Sequence, residues 1–270
     1  MQNARQPRVR FHFAFCILGF AFCISSGTVQ AQTWGDVKGR VIWGGKNVPA
    51  PAKLQLPPGD PSTPICIKAN KGEEPPDESF VVHQKNMGLR DVFVWLADFD
   101  DPRSKKPLPT HPKLKAIKVK QVEMDQPACH FIPHAIALRE GQELVVKNSA
   151  PFLHSFKWGG DPNVNPGESV AMAPGSTRTI KPATDRLPIE IQCTVHTKMR
   201  SWMRVFSHPY FAVTDENGAF EFKDAPAGKY RLMIWHANGW LGGKDGNRGQ
   251  LIDIEAGKVV NVGDLAFAPN

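Results

Sequence analysis

Helical periodicity is missing from this sequence. No stretch of ten or more residues carries an apolar stripe every three or four positions, which excludes a helix bundle or a coiled coil. Beyond residue 31 no apolar run approaches the ~20 residues that cross a bilayer as a helix, so no span is expected in the mature chain. Blocks of one charge are also lacking. The 33 Lys+Arg and 26 Asp+Glu are interspersed, an excess too mild for a nucleic-acid partner. Cysteine is scarce, five in 270 residues, and no His-x-His pair occurs anywhere. Glycine and proline are not scarce: 23 and 24 of them favour short strands joined by many turns, in a chain long enough to bury a real core.

The first residues have their own grammar. Arg5, Arg8 and Arg10 precede an apolar run over 11–24, and Val29-Gln30-Ala31 offers a small-residue cleavage site, so residues 1–31 read as a secretory signal peptide. Phe15 and Phe22 precede Cys16 and Cys23, which argues against a lipoprotein cysteine. Cleavage removes three arginines and no acid, lowering the formal charge from +7 to +4. The expected product is soluble and secreted or periplasmic.

What repeats in the rest repeats every two residues. Val37, Gly39, Val41 and Trp43 alternate with polar neighbours, and Tyr230, Leu232 and Ile234 share one face. Residues 92–96, 116–122, 131–138, 143–148, 189–193 and 203–206 read as further strands, and Asn217-Gly218 between Val213 and Phe220 predicts a tight hairpin. Residues 57–79 and 99–113, rich in Pro, Asp and Lys, read as loops. The fold class is all-β, a sandwich and possibly two.

Three cysteines survive cleavage, Cys66, Cys129 and Cys193, and an odd count in an oxidising compartment leaves one thiol free or held by something else. Ile189, Ile191 and Cys193 share a strand face, and Cys193 opens a compact Cys-x-x-His-x-x-Met loop through His196 to Met199. His154 follows another strand end upstream. A thiolate, two imidazoles and a thioether form a soft set that suits one copper ion, since zinc has little use for Met and its structural sites close with four strong ligands. Met203 follows Trp202 in the next strand and reads as packing. His134 reads as structural, and His83, His111 and His130 as surface residues. Trp235-His236 and His208-Pro209-Tyr210 could build a ligand-binding face, but single copies at strand ends read as packing.

With Phe131-x-Pro133, Leu138, Gly141, Val145, Asn148 and His154, the chain resembles the plastocyanin pattern of the cupredoxins, the small blue copper proteins. The Cys193, His196, Met199 spacing is similar to the short ligand loop of amicyanin. The resemblance covers residues 115–206. It implies a Greek-key β-sandwich holding one type 1 copper on His154, Cys193, His196 and Met199, with His196 presenting an exposed edge as the electron port. The chain departs from the pattern at Gln192, where plastocyanins carry a tyrosine, and in the 39-position step from His154 to Cys193, which includes a Gly/Pro-rich excursion over 159–174. Multicopper oxidases have a similar site but need paired His-x-His ligands. Their absence here implies a one-electron carrier between protein redox partners and not an enzyme.

Trp34-Gly35-Asp36-Val37-Lys38-Gly39-Arg40-Val41, the segment 212–222 and Pro226-Ala227-Gly228-Lys229-Tyr230 resemble carboxypeptidase-regulatory-like, transthyretin-like β-sandwiches. The organisation expected is therefore a signal peptide (1–31) and one sandwich (32–114 and 207–270) interrupted by the cupredoxin (115–206). A second functional reading is a non-catalytic exported module that binds a carbohydrate or a protein and whose copper site is structural or vestigial. With Cys193 committed to metal, Cys66 and Cys129 are left either to bridge or to lie as two buried thiols.

Overall fold

The computed structural model describes residues 33–268; the signal-peptide reading of 1–31 lies outside them. In chain order the strands are β1 (Trp34–Trp43), β2 (Phe93–Ala97), β3 (Gln121–Ala128), β4 (His130–Ile132), β5 (Ala135–Arg139), β6 (Glu143–Lys147), β7 (His154–Trp158), β8 (Glu168–Met172) and β9 (Thr177–Ile180). They continue with β10 (Ile189–Gln192), β11 (Arg200–Phe206), β12 (Phe211–Val213), β13 (Ala219–Pro226), β14 (Gly228–His236), β15 (Gly239–Trp240), β16 (Gln250–Ile254) and β17 (Val259–Phe267). Two short helices, α1 (Thr63–Ala69) and α2 (Pro112–Lys115), complete an all-β fold. Among the described residues no helix is long and apolar enough to cross a membrane.

The strands form four sheets. One is ordered β13-β1-β17 and a second β12-β2-β14-β15, with β16 on β14; a third runs β5-β11-β10-β7-β8 and the fourth β4-β3-β6-β9. The first two, built from residues flanking 115–206, enclose a core of Val37, Val41, Val94, Leu96, Leu232 and Ile234. The last two enclose Met124, Phe131, Leu144, Phe156, Ile191 and Met203.

A third apolar layer joins the pairs. Phe93 and Trp95 of β2 and Met233 and Trp235 of β14 turn away from the first core and meet Ala135 and Phe206 of the third sheet. That is why β2 is buried at every position: both faces are covered, and its sequence is a continuous apolar run. Trp202 packs edge-on to Trp235 at 5.0 Å. The Arg204 guanidinium is buried in the same layer, 4.1 Å from the Trp95 ring centroid, and burial pulls its pKa down to about 10. Burying each aromatic contributes about 2–3 kcal/mol, so the layer outweighs the cost of one charge held against π faces. Trp235, His236 and Tyr210 are thus packing residues, as their isolated occurrence suggested.

Several expectations shift. The 131–138 strand divides at Pro133, which has no N–H to give to a ladder. Residues 116–120 precede β3 instead of forming a strand, and the excursion over 159–174 contains β8, paired with β7. The segment 57–79 is not all loop, since it holds α1. Asn217-Gly218 does form a turn, with Gly218 at φ 73°, but no hairpin follows: β12 pairs with β2 while β13 pairs with β1. The turn moves the chain from one sheet to the other. His111 and His130 are partly buried and partnered, His111 beside Trp34 and His130 with Glu78 at 3.3 Å.

Candidate metal centre

Four segments converge at one end of the third and fourth sheets. The first is organised by Asn148, directly after β6. Its side-chain amide donates to the backbone carbonyls of Phe152 and Met172 at 2.9 and 2.7 Å, and its Oδ1 accepts from the Ala150 N–H at 3.1 Å. These bonds fix the turn that delivers His154 as the first residue of β7, fully buried and opposite Met172.

Cys193 follows directly on β10, on the buried face shared by Ile189 and Ile191. The loop after it closes on itself. Met199 N–H donates to His196 O at 2.9 Å and Cys193 N–H to Met199 O at 3.2 Å, bringing Cys193, His196 and Met199 together within seven residues, all buried.

The donor atoms meet. Cys193 Sγ lies 3.8 Å from His154 Nδ1 and 3.7 Å from His196 Nδ1, and the two Nδ1 atoms are 3.1 Å apart. A point in their plane equidistant from the three lies about 2.1 Å from each, the length of a metal–imidazole bond and a little short of ~2.3 Å for metal–thiolate. The residues therefore fit a metal ion. Met199 is buried in the same core as Cys193 and is joined to it through the loop's backbone bonds.

Sequence reasoning missed the groups that hold the sulfur. The Ser155 and His196 N–H groups each donate to Cys193 Sγ at 3.3 Å. The Ser155 hydroxyl accepts from Thr194 N–H at 2.6 Å, locking the thiolate loop to β7. Burial raises the Cys193 pKa, but hydrogen bonds from His154, His196 and these amides outweigh it and bring it down to about 5. The thiolate form in which a cysteine binds a metal is thus favoured by its surroundings. Ser155 next to His154 was the one available signal.

The expectation of an exposed His196 edge is corrected. His196 is only 3% exposed. The segment around Leu54, Leu56, Pro57 and Asp60 lies over it, leaving a void of only about 10 Å³. Asp60 accepts from the Ser62 N–H and hydroxyl and turns the chain into α1, whose single buried residue is Cys66. Cys66 is bridged to Cys129, so the cover is covalently tethered to the end of β3, in the half of the fold that holds these donors. Phe152 closes the other side, 5.0 Å from the His154 ring and 5.6 Å from the His196 ring. Cys193 is the free thiol among the described residues, and the bridged alternative for Cys66 and Cys129 is the one realised. Met203 is a core residue of β11, and His134 is buried, its carbonyl accepting from the Ser201 hydroxyl and the Trp202 N–H.

No family model matches the chain, and no curated protein matches it. Solved structures similar to part of it include a reduced amicyanin mutant, 13% identical, covering 32% of this chain and 82% of that one at a TM-score of 0.28. An oxidised amicyanin mutant is 13% identical, with 38% and 94% covered and a TM-score of 0.29. A purple cupredoxin from Nitrosopumilus maritimus is 14% identical, with 31% and 98% covered and a TM-score of 0.27.

Proposed function

We propose that the chain is an exported copper protein that carries single electrons between protein partners, with His154, Cys193 and His196 as the strong ligands and Met199 as the weak axial one. The observation that carries this reading is the convergence of two imidazole nitrogens and one acidified thiol within 3.8 Å of one another, on three buried residues. Two His and one Cys with a nearby Met suit copper better than zinc. Bound copper would supply one-electron exchange between Cu(I) and Cu(II). The chain's part is to hold a geometry common to both states. Asn148 fixes the His154 turn, the Ser155 and His196 amides stabilise the sulfur, and Phe152 with the 54–66 cover excludes solvent. The Cys66–Cys129 bridge supports an oxidising compartment, in keeping with the leader-like residues 1–31.

One observation favours the second reading, in which the metal is structural: the cover buries the histidine edge through which electrons were expected to leave. Absorption and EPR spectra of the Cu(II)-loaded protein distinguish the two. An intense sulfur-to-copper band that bleaches with ascorbate and returns with ferricyanide supports the carrier. A bound ion that ascorbate does not reduce, or no Cu(II) binding, overturns it.

A further inference from the structure

The cover and its tether place a second set of soft donors against the first. The sulfurs of Cys66 and Cys129 and a ring nitrogen of His196 all lie within 4.8 Å of one another, and all three residues are buried. His196 Nδ1 is directed at Cys193 and His154, while Nε2 is buried with no hydrogen-bond partner among the described residues. Histidine ligands ordinarily donate the far N–H to a second group. The Nε2 of His154 is likewise unpartnered, but it is the His196 ring that also lies against the two sulfurs. As a disulfide the two sulfurs are poor donors. As thiolates they would complete an S₂N set of the kind that holds Cu(I).

We infer that Cys66, Cys129 and His196 form a second, thiol-dependent Cu(I) site back to back with the first, sharing the imidazole of His196. Its formation takes a dithiol reductant. The S–S bond accepts two electrons and two protons from the dithiol, which leaves as its own disulfide, and the two thiol protons pass to water as Cu(I) binds; where His196 Nδ1 already holds the first ion, the proton on Nε2 passes to water as well and the ring bridges as imidazolate. The surrounding framework is already in place: Cys129 sits between β3 and β4, His196 is fixed by the loop bonds to Met199 and Cys193, and Cys66 is carried by α1. Opening the bridge therefore separates the sulfurs without dispersing them. The site makes the cover an intake or relay position for Cu(I), governed by the thiol state around the protein. The inference rests on the proposed function only for the choice of copper as the metal.

The test counts Cu(I) equivalents retained against a chromogenic Cu(I) chelator under nitrogen, before and after treatment with dithiothreitol and anaerobic gel filtration. Wild type should hold one equivalent when oxidised and two when reduced. Cys193→Ser, which lacks the first site, should hold none when oxidised and one when reduced. Adding Cys66→Ser and Cys129→Ser to that background should abolish the reduced-state equivalent, and adding His196→Gln should weaken it at least tenfold. Reduced Cys193→Ser that retains no Cu(I), folded or not, overturns the second site. Undiminished binding after His196→Gln overturns it as well, because two thiols alone would then account for the copper. If oxidised wild type holds none while reduced Cys193→Ser holds one, the primary reading fails and this one stands.

Discussion

His154 Nδ1 and His196 Nδ1 face each other at 3.1 Å, although 42 residues separate them and their rings are inclined at 60°. Two imidazoles approach this way by sharing a proton or by sharing a third atom. Cys193 Sγ completes the triangle at nearly equal distances, a symmetry that a single shared proton does not require.

Replacing the sulfur is the most direct probe of that triangle. Cys193→Ser should remove the sulfur-to-copper band entirely while the far-UV circular dichroism stays that of a β protein. Met199→Leu should keep the band and raise the reduction potential, because a weak axial thioether tunes the site and does not create it. A Cys193→Ser protein whose Cu(II) spectrum matches wild type would falsify the ligand assignment.

The tether makes a separate prediction. Cys66 and Cys129 lie 63 residues apart in sequence, and closing a loop of that length stabilises the folded state by about 4 kcal/mol in the chain-entropy model. Cys66→Ser/Cys129→Ser should lower unfolding stability by that order in denaturant titration. Because the bridge also pins the cover over His196, the same variant should surrender copper to a chelator at least tenfold faster. Equal release rates would mean that the cover does not control access.

How much of this was legible depended on distance along the chain. The candidate donors could be read because their chemistry is local: Cys193, His196 and Met199 fall in one loop, and His154 lies six residues after Asn148 at a strand end. The cover could not. Leu54, Leu56 and Pro57 reach His196 across more than a hundred residues, and an irregular proline-rich segment has no period from which contacts can be read. β8 stayed hidden for a similar reason, its five residues lying inside a Gly/Pro-rich stretch. Asn217-Gly218 was read as a hairpin; the turn forms but the hairpin does not, because a turn motif specifies local backbone and not the sheet that each flanking strand joins. Residues 92–96 were read only as a strand; the unbroken apolar run there reflects burial on both faces, but it does not name the partner.

Asn148 should be the most sensitive residue that touches no ligand atom. Its side chain makes three hydrogen bonds in a buried turn. Asn148→Ala leaves two carbonyls and one N–H without that partner, each worth ~1–3 kcal/mol when no replacement is found, with water entry recovering part. A loss of about 3 kcal/mol in stability and a tenfold or larger loss in copper affinity are expected. Asn148→Asp should restore only the bond to Ala150, so its affinity should fall as well. If Asn148→Ala binds copper as wild type does, the turn is held by something else.

Acid should destabilise the protein through two histidines far from the metal centre. Burial, helped by the neighbouring Arg204 and Arg139 charges, pulls His208 down to about 4, and burial, with His134 adding to it, pulls His236 down to about 3. Each neutral ring also accepts a backbone bond: His208 Nδ1 from Tyr210 N–H, and His236 Nδ1 from Asn238 N–H, both at 3.2 Å. A protonated ring cannot accept these bonds. In the unfolded chain the same histidines titrate near 6.5, so between there and the folded values the unfolded state binds more protons and stability rises with pH. The contribution is complete above about pH 6.5. It is lost as pH falls, at a limiting slope of about 1.4 kcal/mol per pH unit for each histidine. Denaturant titrations of the metal-free protein at pH 7.5, 6, 5 and 4.5 should show this decline. His208→Asn and His236→Asn keep an acceptor for the N–H two residues on while removing the titrating ring, and together they should flatten the profile over this range. An unaltered acid profile in the double variant would place the pH sensitivity elsewhere.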